Sequence, residues 1–186
     1  MTITKSEYYL LESQFGEGSA DMDDSPDLDP PFDITWHHGV KWKEKPPERI
    51  VYRFEAGHLH PYYADAHPVM SDKLLEAFVR CGVDNIDAYP AIIYQEGIDK
   101  PITNYKIVNI IGRVSAVDEE LSDAVDLGLT DDDMSPRFFN ELKISEIRAH
   151  GLLLFRLAEM TSEIAIHRTV KLALEKEFDD LKFEPA

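Results

Sequence analysis

A loop rich in histidine contains the residues that are best suited to bind a metal ion. The segment from Gly57 to Pro68 carries three histidines and one carboxylate, namely His58, His60, Asp65 and His67. Neutral imidazoles combined with a carboxylate suit zinc or iron. No second cluster of ligands completes the site elsewhere in the sequence, so we expect these side chains to be ordinary polar groups of a surface loop. The sequence therefore predicts no metal and no cofactor, and a metal-dependent enzyme using this loop is the alternative.

No other pattern in the chain supports catalysis. The sequence contains no GxSxG elbow, no P-loop, no GxGxxG and no HExxH. The single cysteine, Cys81, precedes Gly82 at the end of a predicted helix, where the helix dipole disfavours a thiolate. We expect Cys81 to be a small core residue, and we predict that the protein is not an enzyme.

Acidic residues are concentrated in two segments. The 186 residues include 36 Asp and Glu against 19 Lys and Arg, a formal charge of −17. One stretch without a base runs from Asp21 to Asp33. The second runs from Asp118 to Asp133, again without a base, and its acidic residues are Asp118, Glu119, Glu120, Asp123, Asp126, Asp131, Asp132 and Asp133. We take the second segment as the candidate surface for a cationic partner, whereas the alternative is that both stretches are solvated loops that maintain solubility.

Charge and hydropathy also exclude several classes of function. An acidic chain is unsuited to bind nucleic acid or an anionic membrane surface, since both require Lys and Arg. No apolar run approaches the roughly 20 residues of a membrane span, and the first residues do not form a signal peptide. With one cysteine and no internal disulfide, the chain is typical of a reduced, cytoplasmic protein. An acidic regulator that mimics nucleic acid remains a further alternative.

Helix and strand patterns alternate along the chain. A helix is predicted from Ser71, a good N-cap, to Gly82, and a second one over Thr169–Phe178. The predicted strands are Glu7–Glu12, Ile50–Phe54, Ile92–Tyr94, Tyr105–Ile111, Arg137–Ile144 and Gly151–Leu157. The pattern predicts an α+β fold.

The end of the chain repeats its middle. Two pairs of apolar helix residues match at an offset of 96 positions, Leu74 with Val170 and Phe78 with Leu174. The strands after the helices match at an offset of 95, and before the helices Tyr52–Phe54 resembles Phe155–Leu157. We predict two similar halves, residues 1–112 and 113–186, each a sheet with a packed amphipathic helix. The same pattern is compatible with one compact domain.

Several short segments, spread over most of the chain, carry a resemblance to a known family. They are Tyr8–Leu11, Val69–Leu74, Ile86–Ala91, Tyr105–Ile110, Ala116–Asp118 with Ser122, Leu154–Leu157 and Phe183–Pro185. In this order and spacing they resemble the family-eleven immunity proteins of bacterial polymorphic toxin systems. The chain departs from that family in its longer acidic stretch Asp21–Asp33 and in His167, which stands where the first copy has Ser71.

The resemblance implies a bacterial immunity protein. Such a protein is not an enzyme; it binds and neutralises a cognate toxin in the cytoplasm by protein–protein contact. Immunity proteins commonly present acidic surfaces to basic toxins, an arrangement that speeds association. The acidic segment Asp118–Asp133 is then the expected toxin-contacting surface.

Overall fold

Two β-sheets, each packed against its own helix, form most of the structure. The computed structural model describes residues 6–24, 26, 35–44, 46–64, 67–125 and 138–186. Within these ranges the fold is mixed α+β, and this confirms the predicted fold class. No helix in the described ranges has the length and apolar character needed to cross a membrane.

The described residues form thirteen strands and three α-helices. The strands are β1 (Tyr8–Glu12), β2 (Met22–Asp24), β3 (Ile50–Phe54), β4 (Tyr62–Tyr63), β5 (Val69–Ser71), β6 (Ile86–Gln95), β7 (Ile102–Ile110), β8 (Arg113–Val114), β9 (Asp123–Ala124), β10 (Phe139–Glu141), β11 (Leu154–Leu157), β12 (Ile164–His167) and β13 (Lys182–Pro185). The helices are α1 (Asp72–Arg80), α2 (Glu146–Ala149) and α3 (Arg168–Leu174), with a 3-10 turn at Thr35–His38.

The strands make one six-stranded sheet, one five-stranded sheet and a small two-stranded ladder. The six-stranded sheet has the order β2–β3–β6–β7–β5–β4, and only the β3–β6 pair in it is parallel. The five-stranded sheet has the order β13–β1–β12–β11–β8, and β9 pairs with β10 separately. Because β1 lies between β12 and β13, the five-stranded sheet joins both ends of the chain.

Helix α1 begins and ends where the sequence predicts. The Ser71 hydroxyl accepts a hydrogen bond from the Leu74 N–H at 3.2 Å, which satisfies one of the free donors of the first turn. After the helix, Gly82 adopts φ +88°, the left-handed conformation that glycine adopts without strain. The helix buries Leu74, Ala77 and Phe78.

Helix α3 is shorter than predicted but is positioned in the same way. It ends at Leu174, and Phe178 lies beyond it as a buried core residue. Its N-cap is His167, whose side chain accepts a hydrogen bond from the Thr169 N–H. The helix buries Val170 and Leu174, the two positions that match Leu74 and Phe78 of α1.

The two sheets share a four-stranded antiparallel arrangement. The order β6–β7–β5–β4 in one sheet corresponds to β13–β1–β12–β11 in the other. The registers correspond as well, since Ser71 lies opposite Tyr105 and His167 lies opposite Tyr8. The prediction of two similar halves is confirmed, and β1 takes in the second half the place that β7 takes in the first.

Two sequence-based details of the repeat need correction. Strand β11 corresponds to β4, because each pairs antiparallel with the strand before its helix, so the alignment of Tyr52–Phe54 with Phe155–Leu157 was wrong. The two segments share only an arginine between two apolar residues. This pattern is common in strands and does not specify which strand pairs with which. In addition, the boundary after residue 112 separates β1 from the sheet that it completes.

Both halves contribute to one central core. A single cluster of buried side chains contains Leu74 and Phe78 from α1 together with Val170 and Leu174 from α3. At the surface, Arg80 and Glu177 form an ion pair of 2.6 Å between the two halves. The two helices therefore pack on their own sheets and share one core.

Candidate functional site

The acidic segment of the sequence belongs to a small substructure at one side of the five-stranded sheet. We call residues 115–125 and 138–150 the acidic lobe. Backbone hydrogen bonds join its two parts, from Asp118 N–H to the Lys143 carbonyl at 2.7 Å and from Ser145 N–H to the Ala116 carbonyl at 2.8 Å. The β9–β10 ladder adds a further connection. Over the described residues, the two parts of the lobe are thus joined by backbone hydrogen bonds.

Buried side chains attach the acidic lobe to the sheet. Ala116, Val117 and Ala149 are fully buried and belong to one apolar cluster with Phe155 and Leu157 of β11. Arg148 also donates from Nη1 to the Val117 carbonyl at 2.9 Å. The five-stranded sheet therefore fixes the position of the lobe.

Four of the eight predicted contact residues lie in the described part of the lobe. They are Asp118, Glu119, Glu120 and Asp123, whereas Asp126, Asp131, Asp132 and Asp133 lie outside the described residues. The Asp118 carboxylate accepts from the Glu120 and Leu121 N–H groups at 3.2 and 3.3 Å and thereby shapes the turn. The Asp123 carboxylate accepts from the Asn140 side-chain amide at 3.0 Å. Asp118 is half-buried and Asp123 is exposed.

The charge of the acidic lobe is strongly one-sided. Its described residues include six carboxylates and two basic side chains, Lys143 and Arg148. Glu119, Glu120 and Asp123 are exposed. Arg148 is exposed as well, and its guanidinium donates to the backbone of Val117. The exposed surface is consequently dominated by negative charge.

Three large apolar side chains are exposed on the same lobe, and the sequence did not point to them. Ile147 is 84% exposed, Leu121 is 69% exposed and Phe138 is 48% exposed. Leu121 stands next to Glu119 and Glu120 in the sequence, and Ile147 lies in α2. An apolar residue within an acidic turn was the one signal that could have revealed part of this surface.

The structure groups two of the predicted histidines with a different carboxylate. His58 and His60 lie together, and their third neighbour is Asp180, which comes from the segment between α3 and β13. His67 does not belong to this group; it is buried, and its backbone carbonyl accepts a hydrogen bond from Tyr52. Asp65 lies outside the described residues. The set proposed for a metal-dependent enzyme is thus not brought together as the sequence grouped it.

Hydrogen bonds fix the backbone at His60. Its N–H donates to the Tyr63 hydroxyl at 2.9 Å, and its carbonyl accepts from the Tyr105 hydroxyl at 3.0 Å. Burial raises the pKa of Tyr63 to about 12 and also raises the pKa of Tyr105. Both phenols therefore stay protonated at neutral pH and can make these hydrogen bonds.

Cys81 lies at the end of α1 and packs against the central core. It is half-buried, and its N–H donates to the Ala77 and Phe78 carbonyls at 3.0 Å. Burial raises the pKa of the thiol, although the neighbouring Arg80 opposes this shift. The raised pKa disfavours the thiolate that a nucleophile requires.

Comparison of the sequence with protein families and with curated proteins gave no match. No protein-family model matches the sequence, and no curated protein is significantly similar to it. The resemblance to family-eleven immunity proteins therefore stays a prediction from the residues that carry it.

Proposed function

We propose that this protein is a bacterial immunity protein that binds and neutralises a cognate toxin through the acidic lobe. The observation that carries the proposal is the combination, on one sheet-supported lobe, of an excess of exposed carboxylates with three exposed apolar side chains. The resemblance noted in the sequence supplies the biological setting, in which the protein protects its own cell in the cytoplasm.

The apolar side chains are suited to form the centre of an interface. Interfaces derive most of their affinity from a few apolar or aromatic residues that become fully desolvated, while charged groups surround them. Leu121, Phe138 and Ile147 are exposed in the free protein and would lose that exposure on binding. Removing their apolar surface from water would favour the complex.

The carboxylates are suited to guide the encounter with a basic toxin. Complementary charge raises the rate of association and suppresses binding to partners of the wrong sign. Glu119, Glu120 and Asp123 are exposed and lie in the same lobe as Leu121. A toxin with a basic surface is therefore the partner that this lobe fits, and the protein would act by contact alone, without catalysis.

The experiment first looks for a large secreted toxin encoded beside the gene for this protein, and then tests that toxin. Co-expression should protect cells from the toxin, and the two proteins should co-purify. Ile147→Asp should weaken the complex by about 2 kcal/mol, which is about thirtyfold in Kd, because it places a charge in the apolar centre.

Ile98→Asp is the matched control for the lobe variant. Ile98 is an isoleucine that is 50% exposed after β6, in the half that carries the other sheet. This variant should bind the toxin as wild type does. If Ile147→Asp protects cells fully and binds with unchanged affinity, the acidic lobe is not part of the interface. If the neighbouring toxin does not bind the wild-type protein at all, the proposed function itself is contradicted.

A further inference from the structure

Three potential metal ligands converge from distant parts of the chain. His58 Nε2 lies 3.2 Å from Asp180 Oδ2, and His60 Nδ1 lies 3.5 Å from the same oxygen. The ligand atoms of the three residues are all within 4.8 Å of one another. Nitrogen and oxygen ligands placed about 2.0–2.2 Å from a tetrahedral zinc ion are separated from each other by about 3.3–3.6 Å. The two measured separations are close to this range.

His60 is oriented as a metal-bound histidine would be. Its side chain is only 5% exposed, and its Nε2 lies 2.8 Å from the Ser19 hydroxyl oxygen. In the tautomer whose Nε2–H donates to Ser19, Nδ1 carries the lone pair and lies 3.5 Å from Asp180 Oδ2, and outer hydrogen bonds of this kind select the tautomer of a metal ligand. The buried Nδ1 has no hydrogen-bond partner in the described structure. Such a group is costly unless something binds it.

We propose that His58 Nε2, His60 Nδ1 and Asp180 Oδ2 bind one zinc ion. Two imidazoles and one carboxylate form a donor set of intermediate softness that suits zinc. The His58 side chain is 66% exposed, which gives the ion a route from solvent and leaves a coordination position for water. The site differs from the sequence-based alternative, because Asp180 replaces Asp65 and His67.

The position of the site in the fold determines what the zinc ion would do. His58 and His60 lie between β3 and β4 in the six-stranded half, whereas Asp180 lies between α3 and β13 in the other half. His58 and Asp180 are 122 residues apart in the sequence. A shared ion would clamp the two halves together at the surface, beside their common core. This role is independent of toxin binding by the acidic lobe.

Zinc binding to the full chain, purified without a histidine tag and freed of metal with a chelator, tests the proposal. Titration with zinc chloride, followed by calorimetry, should show one ion per chain, and the Tm should rise with zinc concentration. His58→Ala and Asp180→Asn should each weaken zinc binding at least tenfold and abolish the zinc-dependent rise of Tm. His58 is a mostly exposed side chain, so its replacement tests the site without disturbing the core.

Matched controls come from the same residue types outside the site. Asp179→Asn changes an exposed aspartate next to Asp180, and His38→Ala changes an exposed histidine in another segment. Both should bind zinc as wild type does. Absence of stoichiometric binding at micromolar zinc would overturn the proposal, as would equal binding by wild type, His58→Ala and Asp180→Asn.

Discussion

His167 caps α3 in the same way as Ser71 caps α1. Each residue ends a strand, has an extended backbone conformation and accepts a hydrogen bond at 3.2 Å from an N–H in the first turn of its helix. Each also lies opposite a tyrosine in the neighbouring strand, Tyr8 for His167 and Tyr105 for Ser71. A histidine therefore fills a serine position in the second copy without loss of the cap, since neutral Nδ1 is an acceptor like a hydroxyl oxygen.

Removal of either cap should destabilise the protein to a similar extent. Ser71→Ala and His167→Ala should each lower the free energy of unfolding by about 1 kcal/mol, because a helix N–H loses its acceptor. His167→Ser should keep most of the stability, since serine supplies the same acceptor. Urea unfolding measures all three changes. A loss in His167→Ser as large as that in His167→Ala would show that the imidazole contributes by packing and not as a cap.

The shared core gives a second prediction about stability. Phe78→Ala and Leu174→Ala should each cost about 2–5 kcal/mol, because each leaves a cavity in the cluster formed by both helices. Thermal and urea unfolding should show one cooperative transition for wild type. Val79→Ala and Leu172→Ala are controls on the same helices, where the side chains are 70% and 45% exposed. A cost below about 0.5 kcal/mol for Leu174→Ala would contradict the packing of α3 on this core.

Local patterns predicted α1, α3 and the repeat, but neither the short helix α2 nor the pairing of strands. The spacing of Leu74 and Phe78 specifies one helix face, and the same spacing at Val170 and Leu174 revealed the second copy. The insertion of β1 between β12 and β13 joins residues more than 150 positions apart. No local pattern encodes such a contact, because any apolar strand of suitable length can fill the gap.

The same limit applies to the candidate sites. The histidines of the loop were visible in the sequence, whereas Asp180 is one of 36 acidic residues and is distinguished only by its position in space. The acidic character of the lobe was predicted from charge, but the exposure of Ile147 depends on which face of α2 meets the sheet. Charge density is a local property of sequence, and exposure is a property of packing.

Buried tyrosines should make the protein sensitive to alkali. Burial raises the pKa of Tyr63 from its ordinary value of 10.0 to about 12. The folded state thus holds the phenol proton more tightly than the unfolded state, so this contribution to stability is complete below pH 10 and is lost as the pH rises from 10 toward 12. Unfolding in urea at a series of pH values should show this decline. Tyr63→Phe should be less stable than wild type at neutral pH, because it loses the hydrogen bonds with Ala20 and His60. Its free energy of unfolding should, however, fall less steeply between about pH 10 and about pH 12. An equally steep fall in the variant and in wild type would contradict the assignment to Tyr63.

Charge reversal in the acidic lobe tests how the lobe would act in binding the proposed toxin. Glu119→Lys combined with Glu120→Lys should slow association and flatten its dependence on salt, because both carboxylates are exposed and act through a field that salt screens. The sequence predicts the same direction for reversal of Asp131, Asp132 and Asp133, which lie outside the described residues. Stopped-flow measurement at low and high salt separates the association rate from the dissociation rate.

Charge reversal at the other acidic stretch is the control for the lobe. Asp21→Lys with Asp23→Lys changes the net charge by the same amount at a distant part of the chain. The lobe variant should slow association more than this control at low salt, and the two should converge at high salt, where the Debye length falls to about 3 Å at 1 M. The free energy of unfolding should be nearly unchanged in both, since exposed substitutions usually alter it by less than about 0.5 kcal/mol. Equal slowing by the two pairs would mean that the toxin responds to net charge alone, and the acidic lobe would then be a solvated surface like any other.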